Sequence, residues 1–79
     1  RGAGTIGFSL SRSGDATLDV LDIGGRVLAT LARGEHASGA HRVAWDGRDA
    51  RGQKLAAGMV FVRLAAEGRV LTQRVALSR

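Results

Sequence analysis

The amino-acid sequence predicts an all-β fold: an antiparallel sandwich or small barrel of about seven short strands. Three observations carry that expectation. Apolar residues recur at every second position in run after run, the period of a strand with one face buried. Turn signals built on glycine separate the runs, and the chain holds 12 glycines and no proline. No segment repeats its apolar residues at the helical spacing of three and four.

The first alternating run, Thr5 to Ser11, places Ile6, Phe8 and Leu10 on one face of a half-buried strand. Ser13-Gly14-Asp15 turns the chain, and Ala16 to Asp22 alternates again with Ala16, Leu18 and Val20 inward. Gly24-Gly25 offers the positive-φ positions of a tight hairpin, so Arg26 to Ala32 is expected to fold back antiparallel. Arg33 to Ala40 holds Gly34 and Gly39 without sustained periodicity and reads as a loop crossing between sheets. In His41 to Asp46 one face carries His41, Val43 and Trp45, and the single tryptophan is the natural centre of so small a core. Asp46-Gly47-Arg48-Asp49-Ala50-Arg51-Gly52 is a polar turn whose aspartates can bond their own backbone. Gln53 to Ala57 follows as a short edge strand, and Gly58 ends it before a long strand, Met59 to Ala66. Glu67-Gly68 closes a last hairpin onto Arg69 to Ser78, with Leu71, Val75 and Leu77 on one side and Thr72 and Arg74 on the other.

The 79 residues suffice for one domain, which at this size buries only about 60% of the surface its unfolded chain exposes. Hydrophobic residues make up 44% and charged residues 24%, ordinary globular usage. Without cysteine there are no disulfides, thiolate ligands or thiol nucleophiles, so packing and strand pairing must hold the fold. Apolar runs stay far below the ~18–20 residues of a membrane-spanning helix. A chain that opens on Arg1 suggests a processed product or a domain of a longer protein. The net charge is +5 and 11 of the 12 basic residues are arginine, yet they are spread from Arg1 to Arg79 with few aromatics between them. That distribution argues against nucleic acid and leaves looser attraction to an anionic glycan or lipid head group.

Motifs of catalysis and cofactor binding fail on context. Gly2-Ala3-Gly4-Thr5-Ile6-Gly7 fits G-x-G-x-x-G, but it precedes a strand and opens no helix to receive a pyrophosphate. His36 and His41, with Glu35 nearby, fall short of the three or four convergent donors zinc requires. Asp46 and Asp49 lack the regular oxygen spacing of a calcium loop, and a turn-stabilising role fits them better than weak calcium binding. Asp15, Asp19, Asp22, Glu35 and Glu67 read as solvated turn or outer-face carboxylates, and no serine sits in a nucleophile elbow. No catalytic residue, cofactor or metal is therefore assigned.

The order of signals resembles the flagellar hook-capping-type immunoglobulin-like domain over nearly the whole chain. The residues that carry the resemblance are Gly14-x-x-Thr-Leu-x-Val, Asp22-x-x-Gly25-Arg26, Trp45-Asp46-Gly47-Arg48-Asp49-x-x-Gly52 and Ala57-Gly58-x-Val60-Phe61-x-Arg63-Leu64. The pattern is also similar to that of the C-terminal sorting domains of type IX secretion substrates. The resemblance implies an Ig-like β-sandwich of about seven strands that is not an enzyme and forms the C-terminal module of a larger secreted or cell-surface bacterial protein. It would act in secretion, surface attachment or spacing, with its parent polypeptide or the secretion and surface machinery as partner. Trp45, Asp46, Gly47, Asp49, Gly52, Gly58, Gly24, Gly25 and Arg26 are then the frame-holding residues. Two other readings stand beside this one. A hook-cap-like subunit would self-associate through the last strand, the expected partner edge, with Arg69, Leu71, Gln73, Val75 and Leu77 in contact. A binder of anionic surface glycan would use Arg42, Arg63 and Arg74 if they share an outer face.

Overall fold

Six strands and two antiparallel sheets build the molecule, in a computed structural model that describes residues 4–56 and 58–77. In chain order they are β1 (Gly4–Leu10), β2 (Gly14–Leu21), β3 (Val27–His36), β4 (Gly39–Trp45), β5 (Gly58–Ala66) and β6 (Arg69–Leu77). One sheet has four strands in the order β3-β2-β5-β6, and the other pairs only β1 with β4. The chain crosses between sheets after β1, β3 and β4, giving the antiparallel sandwich that the alternation predicts, in the Ig-like form that the resemblance implies.

The core lies between the layers. Val20, Ala29, Trp45, Val60 and Leu77 form its buried centre, with Ile6, Leu28, Leu31, Leu55 and Val75 packed around them. Leu18 and Val20 on central strand β2 are the largest side chains wholly removed from solvent. Strand β2 lies between β3 and β5, so both its edges are paired, and burial extends to its outer face. There Asp19, only 8% exposed, accepts a hydrogen bond from the Thr30 hydroxyl at 2.7 Å and one from the Arg63 guanidinium at 3.2 Å. Thr30 and Arg63 are its direct cross-strand partners in β3 and β5, so the three residues tie these strands together. The expectation that Asp19 is a solvated carboxylate is thereby corrected.

Four local expectations also change. Gln53 to Lys54 and onward do not form a strand: among the described residues the segment makes one isolated bridge, Arg48 to Lys54, and Ala57 lies outside them. The backbone there is held by the turn, with Asp49 N–H donating to Gln53 C=O at 2.9 Å and Leu55 N–H to Gly47 C=O at 3.0 Å. Six strands therefore stand where about seven were expected. The loop expected from Arg33 to Ala40 shrinks to residues 37–38, because β3 runs on through Gly34, whose φ of 100° is accommodated within the strand opposite Ala16. In the first hairpin only Gly25 has positive φ, at 89°. Asp22 organises that turn: Gly25 N–H donates to Asp22 C=O at 3.0 Å and Asp22 N–H to Arg26 C=O at 2.9 Å, a type I turn followed by a glycine bulge. Arg26 accordingly belongs to the turn, and β3 starts at Val27. Ser78, expected to end β6, lies outside the described residues.

Candidate functional site: strand edges and the open end of the sandwich

Around Trp45 the polar turn folds back on the core. The indole is 7% exposed, and its Nε1–H donates to Arg48 C=O at 3.1 Å. Asp46 accepts the Arg48 N–H at 3.0 Å, while Asp49 accepts the N–H groups of Arg51 and Gln53, each at 2.9 Å. Gly47 and Gly52 supply φ of 77° and 82°, and Gly52 N–H closes onto Asp49 C=O at 2.9 Å. Ala50 N–H donates to Leu28 C=O at 2.9 Å and so fastens the turn to the β3 side of the sandwich. Carboxylate oxygens turned onto backbone donors in this way cap a loop and are poorly placed to converge on a cation. Gly58 has φ of 152° where β5 starts, and Gly24 N–H donates to the Asp22 carboxylate at 3.0 Å.

Asp22, Glu67 and the two histidines are likewise engaged in local structure. Asp22 also accepts the Arg26 N–H at 2.8 Å and pairs with the Arg26 guanidinium at 3.3 Å. The Arg26 N–H bond holds its carboxyl below the usual carboxylate range. Glu67 accepts both the hydroxyl and the N–H of Ser11, the latter at 3.2 Å, and the hydroxyl bond likewise holds its carboxyl below the usual carboxylate range. Phe8 stacks on His41 with centroids 5.1 Å apart and meets His36 edge-on at 5.8 Å. One ring nitrogen of each histidine lies against a backbone carbonyl, His36 Nδ1 at Gly34 and His41 Nε2 at Ala37. The described residues contain no group of three or more His, Asp and Glu side chains placed to hold a metal ion.

Strand β6 ends the four-stranded sheet, so one side of it is unpaired. The hairpin that leads into it has φ of 55° at Glu67 and 70° at Gly68, the two positive values of a type I′ turn. Such a turn makes Ala66 and Arg69 a hydrogen-bonded pair, and alternation then directs the backbone groups of Arg69, Leu71, Gln73, Val75 and Leu77 toward β5. The free N–H and C=O groups belong to Val70, Thr72, Arg74 and Ala76. The partner-edge set read from the sequence thus lies on the strand at the end of this sheet, with its side chains facing the inside of the sandwich and its backbone groups turned toward β5. Val70 and Leu71 are 63% and 61% exposed, one on each face of the sheet.

The three arginines considered for a glycan do not share a face. Arg63 and Arg74 lie on the outer face of the four-stranded sheet, where Arg63 is held by Asp19, and Arg42 points outward from β4 in the opposite layer.

Between β1 and β6 the sandwich is open. Two strands cannot cover four, and the uncovered part is a cleft of about 470 Å³ walled by Ile6 and Phe8 on one side and Val62, Leu64, Leu71 and Val75 on the other. It continues past Ser9, Leu64 and Leu71 into a hollow rimmed by Arg12, Glu67 and Arg69.

Comparison with known proteins agrees with this architecture. The family model described as the FlgD Ig-like domain matches residues 1–69. Among solved structures the chain is similar to the crystal structure of FlgD from P. aeruginosa, with 22% identity and a TM-score of 0.66 over 95% of this chain. It spans 59% of that longer chain. No curated protein matches the chain.

Proposed function

The chain belongs to the FlgD Ig-like domain family, and from that membership we propose that it is a non-catalytic structural module of a larger exported bacterial protein, serving in attachment or spacing at the cell surface. The observation that carries this reading is the use made of the polar residues. Asp19, Asp22, Asp46, Asp49 and Glu67 each hold a strand, turn or hairpin in place, so five of the seven carboxylates serve a rigid frame. A frame of this kind works through surface shape and strand edges.

An immunoblot of fractionated native cells with an antibody to the domain tests the proposal. A band much larger than 8.2 kDa in the surface or medium fraction is the expected result. A lone band of the domain's own size confined to the cytoplasm overturns it.

A second reading, self-association in a hook-cap-like assembly, is favoured by the unpaired edge of β6 and by the exposure of Val70 and Leu71 beside it.

A further inference from the structure

Among the described residues four sheet edges are unpaired, and they are not protected alike. Strand β6 carries Arg69 and Arg74, β3 carries Arg33 and Glu35, and β4 carries Arg42. Charges on an edge discourage unwanted pairing. Strand β1, Gly-Thr-Ile-Gly-Phe-Ser-Leu, has none. Among the described residues it pairs with β4 alone, so its other side presents free backbone groups beside an apolar cleft. An uncharged edge of alternating apolar residues next to unfilled apolar surface has the character of a strand in the interior of a sheet.

We propose that the trough between β1 and β6 seats a seventh strand, an extended and net-acidic segment of a separate polypeptide that pairs antiparallel with the free edge of β1. Its inward side chains complete the layer over Val62, Leu64, Leu71 and Val75. Charge at one end of the trough sets its composition and direction. Arg12 and Arg69 rim the hollow where β1 finishes, and both act on Glu67, the one carboxylate lining it among the described residues, whose oxygens are occupied by Ser11. Two guanidinium groups against one committed carboxylate leave a cationic end. An antiparallel strand begins beside the end of β1, so its carboxylates belong in its first residues. The seven residues of β1 extend about 24 Å, enough to pair with a segment of similar length. A second copy of the chain is the poorer occupant, because its β6 would bring Arg69 to the cationic rim and its β1 has no carboxylate to answer it. This seat is separate from the outer edge of β6, so it does not depend on self-association there.

The test is a titration of the isotope-labelled 79-residue chain with a synthetic peptide of two glutamates followed by alternating valine and threonine, read by amide chemical shifts and hydrogen exchange. Binding is expected to shift and protect amides of Ile6 to Ser9 and to shift Leu71 to Val75. Replacing the glutamates by lysine, or Arg69→Glu in the protein, should weaken binding about tenfold at low salt. Moving the glutamates to the peptide's other end should also weaken it. Absence of shifts at peptide concentrations on the order of 1 mM overturns the proposal. Equal affinity for the lysine peptide overturns the acidic partner. Protection of Thr72 and Arg74 with β1 unprotected assigns binding to the outer edge of β6 and overturns the seat, as does oligomerisation of the chain that blocks the same β1 amides without peptide.

Discussion

Trp45 owes its place to a polar loop as much as to apolar neighbours. A buried indole needs an acceptor for its N–H, and Arg48 C=O supplies it only while the turn keeps its shape. Asp49 maintains that shape through its two backbone bonds to Arg51 and Gln53. Asp49→Ala removes the acceptor and leaves those donors to water or to poorer partners, at a cost of about 1–3 kcal/mol. Asp49→Asn keeps an acceptor in the same place and should lose much less. Urea unfolding followed by the fluorescence of the single tryptophan measures both, and equal stability of the Ala and wild-type chains would show that the turn does not support the core.

At the scale of elements, the unpaired side of β6 is the feature most open to a test of self-association. Thr72 N–H points outward by the alternation that the type I′ hairpin imposes, so Thr72→Pro deletes a donor the folded domain does not use. Proline is tolerated on edge strands for that reason, and the fold should survive. Sedimentation velocity of the wild-type chain should show association rising with concentration and persisting at high salt, where repulsion between chains of charge +5 is screened. The Thr72→Pro chain should remain monomeric throughout; if it associates as the wild type does, β6 is not the contact. The strand itself was legible in the sequence, because alternation and the Glu67-Gly68 pair are local signals. So were β1, β2, β4 and β5. The length of β3 was not, since Gly34 has the look of loop punctuation and only pairing with Ala16 keeps it in the strand. Nor was the fate of residues after Gly52, where a carboxylate cap outcompetes a short strand for the same backbone groups. Asp19 shows the same limit in the candidate site: its burial depends on Thr30 and Arg63, brought beside it from two other strands. The trough between β1 and β6 has no local signature at all, because it is the difference between a two-stranded and a four-stranded layer.

For the whole molecule, acid acts on both hairpins of the four-stranded sheet at once. Asp22 closes the β2–β3 hairpin, and Glu67 joins the β5–β6 hairpin to the crossing after β1 through Ser11. Both carboxyls titrate below their ordinary values of 3.8 and 4.5, Asp22 chiefly through the Arg26 N–H and Glu67 chiefly through the Ser11 hydroxyl. A carboxyl whose folded value is depressed binds protons more readily in the unfolded chain, so its contribution is present above the ordinary value and disappears as pH falls through the folded one. Protonation also raises the positive charge of a chain that is already +5, adding repulsion across the compact state. Stability is therefore expected to hold from neutrality to about pH 5 and then to fall toward pH 2. In the Asp22→Asn, Glu67→Gln double variant the amides keep the acceptors but lose the charge, which should lower stability at pH 7 and flatten the acid limb. Urea midpoints measured across the pH range decide the matter: the two curves should converge in acid, and a constant separation would show that the difference comes from hydrogen-bond geometry and owes nothing to ionisation.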